Sequence, residues 1–147
     1  VEIGGFDAGW GSDVTVSEGT AYLAGWDEGL TALDVSDPSR PVKLGGYFEL
    51  IGDYSQVPQG AATRQIVLDV AVSGGRAYVS YNFGLDQGTW TQILESGLIA
   101  LDISDPANPT RLSVFKNFDE VSGVTAAGDL VLVTDSARGL FILEAPE

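Results

Sequence analysis

The sequence predicts an all-β chain built from copies of one four-stranded unit, on three observations. The β-branched and aromatic residues fall in short runs bounded by Gly, Asp, Ser and Pro, and Gly is abundant at 19. No segment repeats apolar residues at i, i+3, i+4 and i+7 for long enough to make a helix. One phrase recurs: "GLTALDVSDPSRPVKLGGY" at 29–47 returns as "GLIALDISDPANPTRLSVF" at 97–115, and begins again as "GLFILEAPE" at 139.

Self-alignment resolves the unit into four pieces. The first is "DVTV" at 13–16, "DVAV" at 69–72 and "GVTA" at 123–126. After a short Gly turn come "AYLA" at 21–24, "AYVS" at 77–80 and "LVLV" at 130–133. The third piece is "GLTALDV" at 29–35, "GLIALDI" at 97–103 and "GLFILEA" at 139–145. The fourth, "KLGGY" at 43–47 and "RLSVF" at 111–115, has its remaining copy at the start, "EIGGF" at 2–6. From Gly97 to Gly139 is 42 residues, the span of a four-stranded propeller blade. From Gly29 to Gly97 is 68, so the middle unit carries insertions. Both alternate sets of residues in these strands are mostly apolar, as in sheets covered on both faces. The expected architecture is a β-propeller arc of three four-stranded blades in one partial domain, 1–147. Its units run at about 13–49, 66–117 and 122–144, with 1–6 as the outer strand of a terminal blade.

These phrases resemble the LVIVD repeat family of β-propeller proteins. The resemblance rests on "DVAVSG-x-x-AYV" at 69–79 and "GL-x-x-LD-[VI]-SDP-x-x-P" at 29–41 and 97–109. The third unit departs from the pattern, with Gly123 in place of the leading Asp and no "SDP-x-x-P". The resemblance implies a propeller, often in exported or surface proteins of bacteria and archaea, and implies no enzyme activity or catalytic residues.

"SDP-x-x-P" has a local explanation. Asp37 and Asp105 accept backbone N–H bonds two residues on, while Pro38 and Pro106 preset φ for a turn. Pro41 and Pro109 offer no N–H where the outer strand begins, which suits an edge. Cation binding by these acids is the alternative to turn chemistry. Asp34 and Asp102 end their strands and are expected to anchor the same turns.

With strands lettered A to D from the axis outward, the chain reads D, ABCD, ABCD, ABC. Strand 1–6 is then expected to complete the last blade by pairing with 139–144, through Ile3, Phe6, Leu140 and Ile142. Rings use about four to eight blades, so three do not close within one chain. Bare end faces and an unpaired edge disfavour a monomer. Three completions remain open: a homodimer of six blades, the remainder of a longer propeller chain, or a filament grown by head-to-tail strand donation.

Seven Lys plus Arg against 21 Asp plus Glu give a net charge of −14. Such a surface repels phosphate backbones and anionic headgroups, so neither nucleic acid nor membrane insertion is expected. No apolar run approaches the ~18 residues of a membrane-spanning helix. The chain has no starting Met and no basic leader, so any leader is expected to have been removed or to lie outside these 147 residues. There is no Cys, His or Met, which removes disulfides, thiolate metal sites and an imidazole base.

Both insertions of the middle unit, 50–65 and 83–96, are expected on the propeller face that carries the D–A and B–C connections. Long loops on a rigid scaffold are where binding concentrates. They bring Asp53, Tyr54, Arg64, Asp86, Trp90 and Gln92 as candidate binding residues, whose aromatic, amide and carboxylate groups suit a carbohydrate or a peptide. The competing reading is that Trp90 and Ile93 fold the loop back as a local mini-core. Trp10 and Trp26 stand on the corresponding loops of the first unit. Asp13 and Asp69 begin innermost strands, where they either hold Ca²⁺ at the channel mouth or accept hydrogen bonds from neighbouring backbone. No cofactor other than Ca²⁺ is suggested.

The function expected is a non-enzymatic, extracellular or cell-surface binding and assembly propeller, closed by oligomerisation through its N-terminal strand. One alternative is a structural subunit of a surface filament or layer. Another is a hydrolase using Asp53 and Asp86, which requires carboxylates roughly 5–9 Å apart with one pKa raised.

Overall fold

The structure is a computed structural model that describes residues 1–147 apart from Asp27, Thr89, Trp90 and Glu147. Three antiparallel sheets follow one another along the chain. Blade 1 has the order β1 (Gly11–Ser17), β2 (Thr20–Gly25), β3 (Gly29–Asp34), β4 (Val42–Tyr47). Blade 2 has β5 (Thr63–Ser73), β6 (Arg76–Asp86), β7 (Thr91–Asp102) and β8 (Thr110–Phe118) in the same order. Blade 3 has β9 (Val121–Ala127), β10 (Leu130–Asp135) and β11 (Gly139–Glu144). The first strands lie side by side, β1 against β5 and β5 against β9. The three sheets are therefore successive blades of a partial β-propeller. The described residues hold one 3₁₀ turn, Tyr54–Gln56, and no helix long and apolar enough to cross a membrane.

Local chemistry sets each blade. The first hairpins of blades 1 and 2 turn through Glu18–Gly19 and Gly74–Gly75, all at positive φ, the twist that two-residue hairpins require. Val35, Ile103 and Ala145 donate equivalent closing bonds to Gly19, Gly75 and Asp129. The "SDP-x-x-P" turns form as expected. Asp34 and Asp102 accept from the N–H of Ser36 and Ser104, and Asp37 and Asp105 from that of Ser39 and Ala107.

Two cores glue the blades. Tyr22, Leu30, Val79, Tyr81, Phe83 and Leu101 fill the space between blades 1 and 2. Tyr78, Leu98, Val121, Val131 and Val133 fill that between blades 2 and 3. Blade 2 is thus covered on both faces, which explains why both alternate sets of residues in its inner strands are mostly apolar.

Three details of the structure correct or extend the sequence reading. Leu130 pairs with Glu144 as Arg76 pairs with Asp102, so the piece equivalent to "AYVS" is "VLVT" at 131–134, one residue later than "LVLV". An aliphatic run with no polar marker does not reveal its own register. Second, the insertion at 83–96 is not a loop: β6 and β7 continue as a hairpin whose pairs include Asp86 with Thr91 and Phe83 with Glu95, and β5 joins it from Thr63. Third, residues 1–8 form no strand within the chain, and Gly4 lies against the Pro38–Ser39 turn of blade 1.

Candidate functional site

The extended hairpin of blade 2 stands over blade 1 and divides the predicted binding residues between two faces. Gln65 and Phe83 are cross-strand partners and share one face; Arg64 lies on the other. On the first face, Tyr54 stacks on Phe83 with ring centroids 5.0 Å apart. Asp53 caps the 3₁₀ turn there, accepting from the Ser55 N–H at 2.9 Å. Gln65 holds the segment in place, accepting from Ile51 N–H and donating to the Glu49 carbonyl. Asp53 and Tyr54 therefore serve loop structure. Gln92 is exposed on β7, and Trp90 lies outside the described residues.

On the other face Arg64 and Asp86 pair at 3.1 Å across β5 and β6, both partly exposed. Arg64 also lines a groove of about 200 Å³ with Gly9, Trp10, Trp26 and Glu28. Trp10 and Trp26 meet there with centroids 5.6 Å apart at 45°, and Trp10 is 75% exposed. A second hollow of about 400 Å³ shares Trp26 and Arg64 and runs past Asn82, Ile93 and Glu120. The result is a continuous trough with an indole platform at one end and an Arg–carboxylate pair in the middle. Sequence reading located Arg64 and Asp86 but could not know that they pair, nor that the two Trp rings touch.

Hydrogen bonds between blades fix the trough. Val67 N–H donates to the Trp26 carbonyl, and Ser12 Oγ donates to the carbonyl oxygens of Ala24 and Val67. Across the next joint, Val121 N–H donates to Ser96 Oγ, and Asn82 Nδ2 to the Val121 carbonyl. The sequence reading missed Asp135. Burial works against its ionisation, yet N–H groups of Asp119, Ala137, Arg138 and Glu120 converge on it and hold its carboxyl below the usual range.

Asp53 and Asp86 have separate commitments, to a turn N–H and to Arg64. The hydroxyl and N–H of Ser55 hold Asp53 below the usual carboxylate range, the wrong direction for a general acid.

Asp13 and Asp69 do come together, and they act as stitches. Asp13 accepts from Val70 N–H of the next blade at 3.1 Å, and Asp69 from Val124 N–H of the blade after at 2.7 Å. Gly123 occupies the equivalent place in blade 3, beside Asp69. Among the described residues no group of three or more acidic side chains gathers where a metal ion could bind. Burial, then the neighbouring Asp13, pushes Asp69 up to about 6, while the same contact and the N–H groups of Val70 and Val14 lower Asp13 against its own desolvation. An acid raised in the folded state stabilises the fold while protonated. The contribution of Asp69 is therefore fully present below about pH 4 and lost as pH rises through about 6. Asp69→Asn is expected to keep the stitch, flatten stability across that window and gain about 1 kcal/mol at pH 7–8, after discounting for solvent screening. Urea unfolding at a series of pH values checks this; an unchanged slope contradicts it.

A model of the LVIVD repeat matches residues 8–48 and 94–116. Those two stretches are similar to the LVIVD repeat. The first matched stretch spans all of blade 1, and the second covers most of β7 and β8 in blade 2. No curated protein matches the chain. The trough combines residues inside the first matched stretch with residues outside both stretches. Trp10 and Trp26 come from the connections of blade 1, while Arg64 and Asp86 come from the lengthened strands of blade 2.

Proposed function

We propose that this LVIVD propeller is a non-enzymatic binding and assembly module, acting outside the cell or at its surface, whose trough takes a neutral saccharide. One observation carries the reading: an exposed indole, Trp10, resting against the half-buried Trp26, sits at the end of a groove that also holds Arg64, paired with Asp86, and Glu28. The apolar face of a sugar ring lies flat on an indole, while its hydroxyls satisfy guanidinium and carboxylate groups at the rim. Pockets of this kind combine a few convergent polar groups with aromatic walls. The net charge of −14 disfavours anionic glycans. Carriage outside the cell rests on the resemblance to LVIVD propellers, which are often exported or held at the surface. Completion of the ring by another chain is part of the same proposal.

Intrinsic tryptophan fluorescence during titration with a panel of neutral oligosaccharides tests the binding role. A saturable change with at least one oligosaccharide is expected, abolished by Trp10→Ala. No response to any of them, or an equal response from Trp10→Ala, overturns the saccharide assignment; saturable binding of peptides alone replaces it with the peptide reading.

A further inference from the structure

Residues 2–6 already occupy the place of an outer strand, although no sheet of their own is beside them. In blade 1, β4 docks onto the next blade through Gly45: a Cβ there would overlap the Ala107 carbonyl and stand 2.8 Å from Ala107 Cα. Gly4 makes the equivalent approach to blade 1, where a Cβ would overlap the Pro38 carbonyl and stand 2.9 Å from Ser39 Cα. Ser39 and Ala107 hold the same position in their "DP-x-x-P" turns, and Gly4 and Gly45 the same position in "EIGGF" and "KLGGY". The N-terminal segment thus sits on blade 1 as β4 sits on blade 2, but with its pairing edge unused among the described residues.

Blade 3 lacks what that segment offers. β11 pairs with β10 on one edge and with no described strand on the other. Its Leu140 and Ile142 are 57% and 61% exposed, whereas their equivalents Leu30, Leu98, Ala32 and Ala100 are buried against a following blade. At the opposite end, Val14 is bare while its equivalent Val70 is buried. A single body, blade 1 with residues 1–6 laid on it, supplies both the outer strand and the following apolar face.

We infer that this body is a second copy of the chain: residues 1–6 of one protomer pair with β11 of its partner, in a defined register. Carrying the β3–β4 pairing across the repeat sets Leu140 opposite Phe6, Phe141 opposite Gly5 and Ile142 opposite Gly4. A bulge then falls at Ile3 before Leu143 meets Glu2, as Leu44 bulges between Gly45 and Lys43. Two such joints related by a twofold axis close a ring of six blades, within the range propellers use. The joint carries Gly123 where the internal joints carry Asp13 and Asp69, so it lacks a carboxylate stitch and separates more easily than they do. The inference rests on the assembly part of the proposed function and is independent of the ligand.

The chain has no Cys, so introduced thiols are the only ones present. Phe6→Cys with Leu140→Cys, oxidised in dilute solution, is expected to give a covalent pair of chains on a non-reducing gel. Phe6→Cys with Ile142→Cys, two residues out of register, is expected to cross-link several-fold more slowly. A bond within one chain, a ladder of larger species, equal rates for the two pairs or no cross-link in folded protein overturns the inference. Should the thiol variants fail to fold, Leu140→Asp with Ile142→Asp is read instead. It is expected to raise the dimer dissociation constant by about 100-fold or more, and unchanged association overturns the inference. Trp10→Ala is expected to dimerise normally, so loss of ligand and loss of pairing are read separately.

Discussion

Gly45→Val is expected to destabilise the chain by about 1–3 kcal/mol, the usual range for forcing atoms into a filled space. Its side chain has nowhere to go, because the Ala107 carbonyl lies where Cβ would be and both neighbours are backbone. Gly45 is fixed by pairing with Ala32, so strain at the outer rim is passed into the joint between blades 1 and 2. Gly4→Val introduces the same clash against Ser39 and Pro38 with a different consequence. Residues 1–8 have no strand partner within the chain, so the segment lifts away at little cost to stability. It then no longer presents its edge to β11 of a partner. Urea unfolding is expected to separate wild type from Gly45→Val but not from Gly4→Val, while sedimentation separates wild type from Gly4→Val. Equal loss of stability in the two variants contradicts the assignment of 1–6 as a docked but unpaired strand.

Phe83→Ala carries the second large effect, about 3–5 kcal/mol. The ring is fully buried between blades 1 and 2, lies against Gly52 and receives Tyr54 at 5.0 Å. Its removal leaves a cavity under the segment that Gln65 pins, and it loosens the base of the hairpin bearing Arg64 and Asp86. Phe83→Leu refills most of the space and is expected to recover more than half of the loss. Equilibrium unfolding measures both; a loss below about 1 kcal/mol for the alanine variant contradicts the packing described.

The blades were legible because turn chemistry repeats where strands do not. Asp34, Asp102 and the "DP-x-x-P" turns mark the first two units at the same phase, so their third and fourth strands fell into place from Gly29, Gly97, Lys43 and Arg111 alone. The second strand of blade 3 has no such marker. Leu130, Val131, Leu132 and Val133 are interchangeable to the eye, and only pairing with Glu144 and Leu143 fixes which of them faces the core. The paired extension of blade 2 was hidden for a different reason. Gly84, Asp86, Gln87 and Gly88 read as loop residues, yet Phe83 and Leu85 alternate across a hairpin that β5 also joins. The binding candidates were gathered from sequence proximity, whereas the trough depends on parity. One residue separates Gln65, which holds a loop, from Arg64, which lines the groove. Backbone hydrogen bonding by Asp13 and Asp69 was among the readings the sequence allowed, and the structure contains those bonds, from Val70 and Val124.

The central claim is an arc of three blades that a second copy completes through its first six residues. Sedimentation equilibrium of the folded chain at micromolar concentration tests it most directly. The account predicts a mass of about twice 15.4 kDa, reverting to a single chain when residues 1–6 are deleted. A folded species of one chain mass, an open-ended series of larger masses, or a dimer indifferent to the deletion contradicts it.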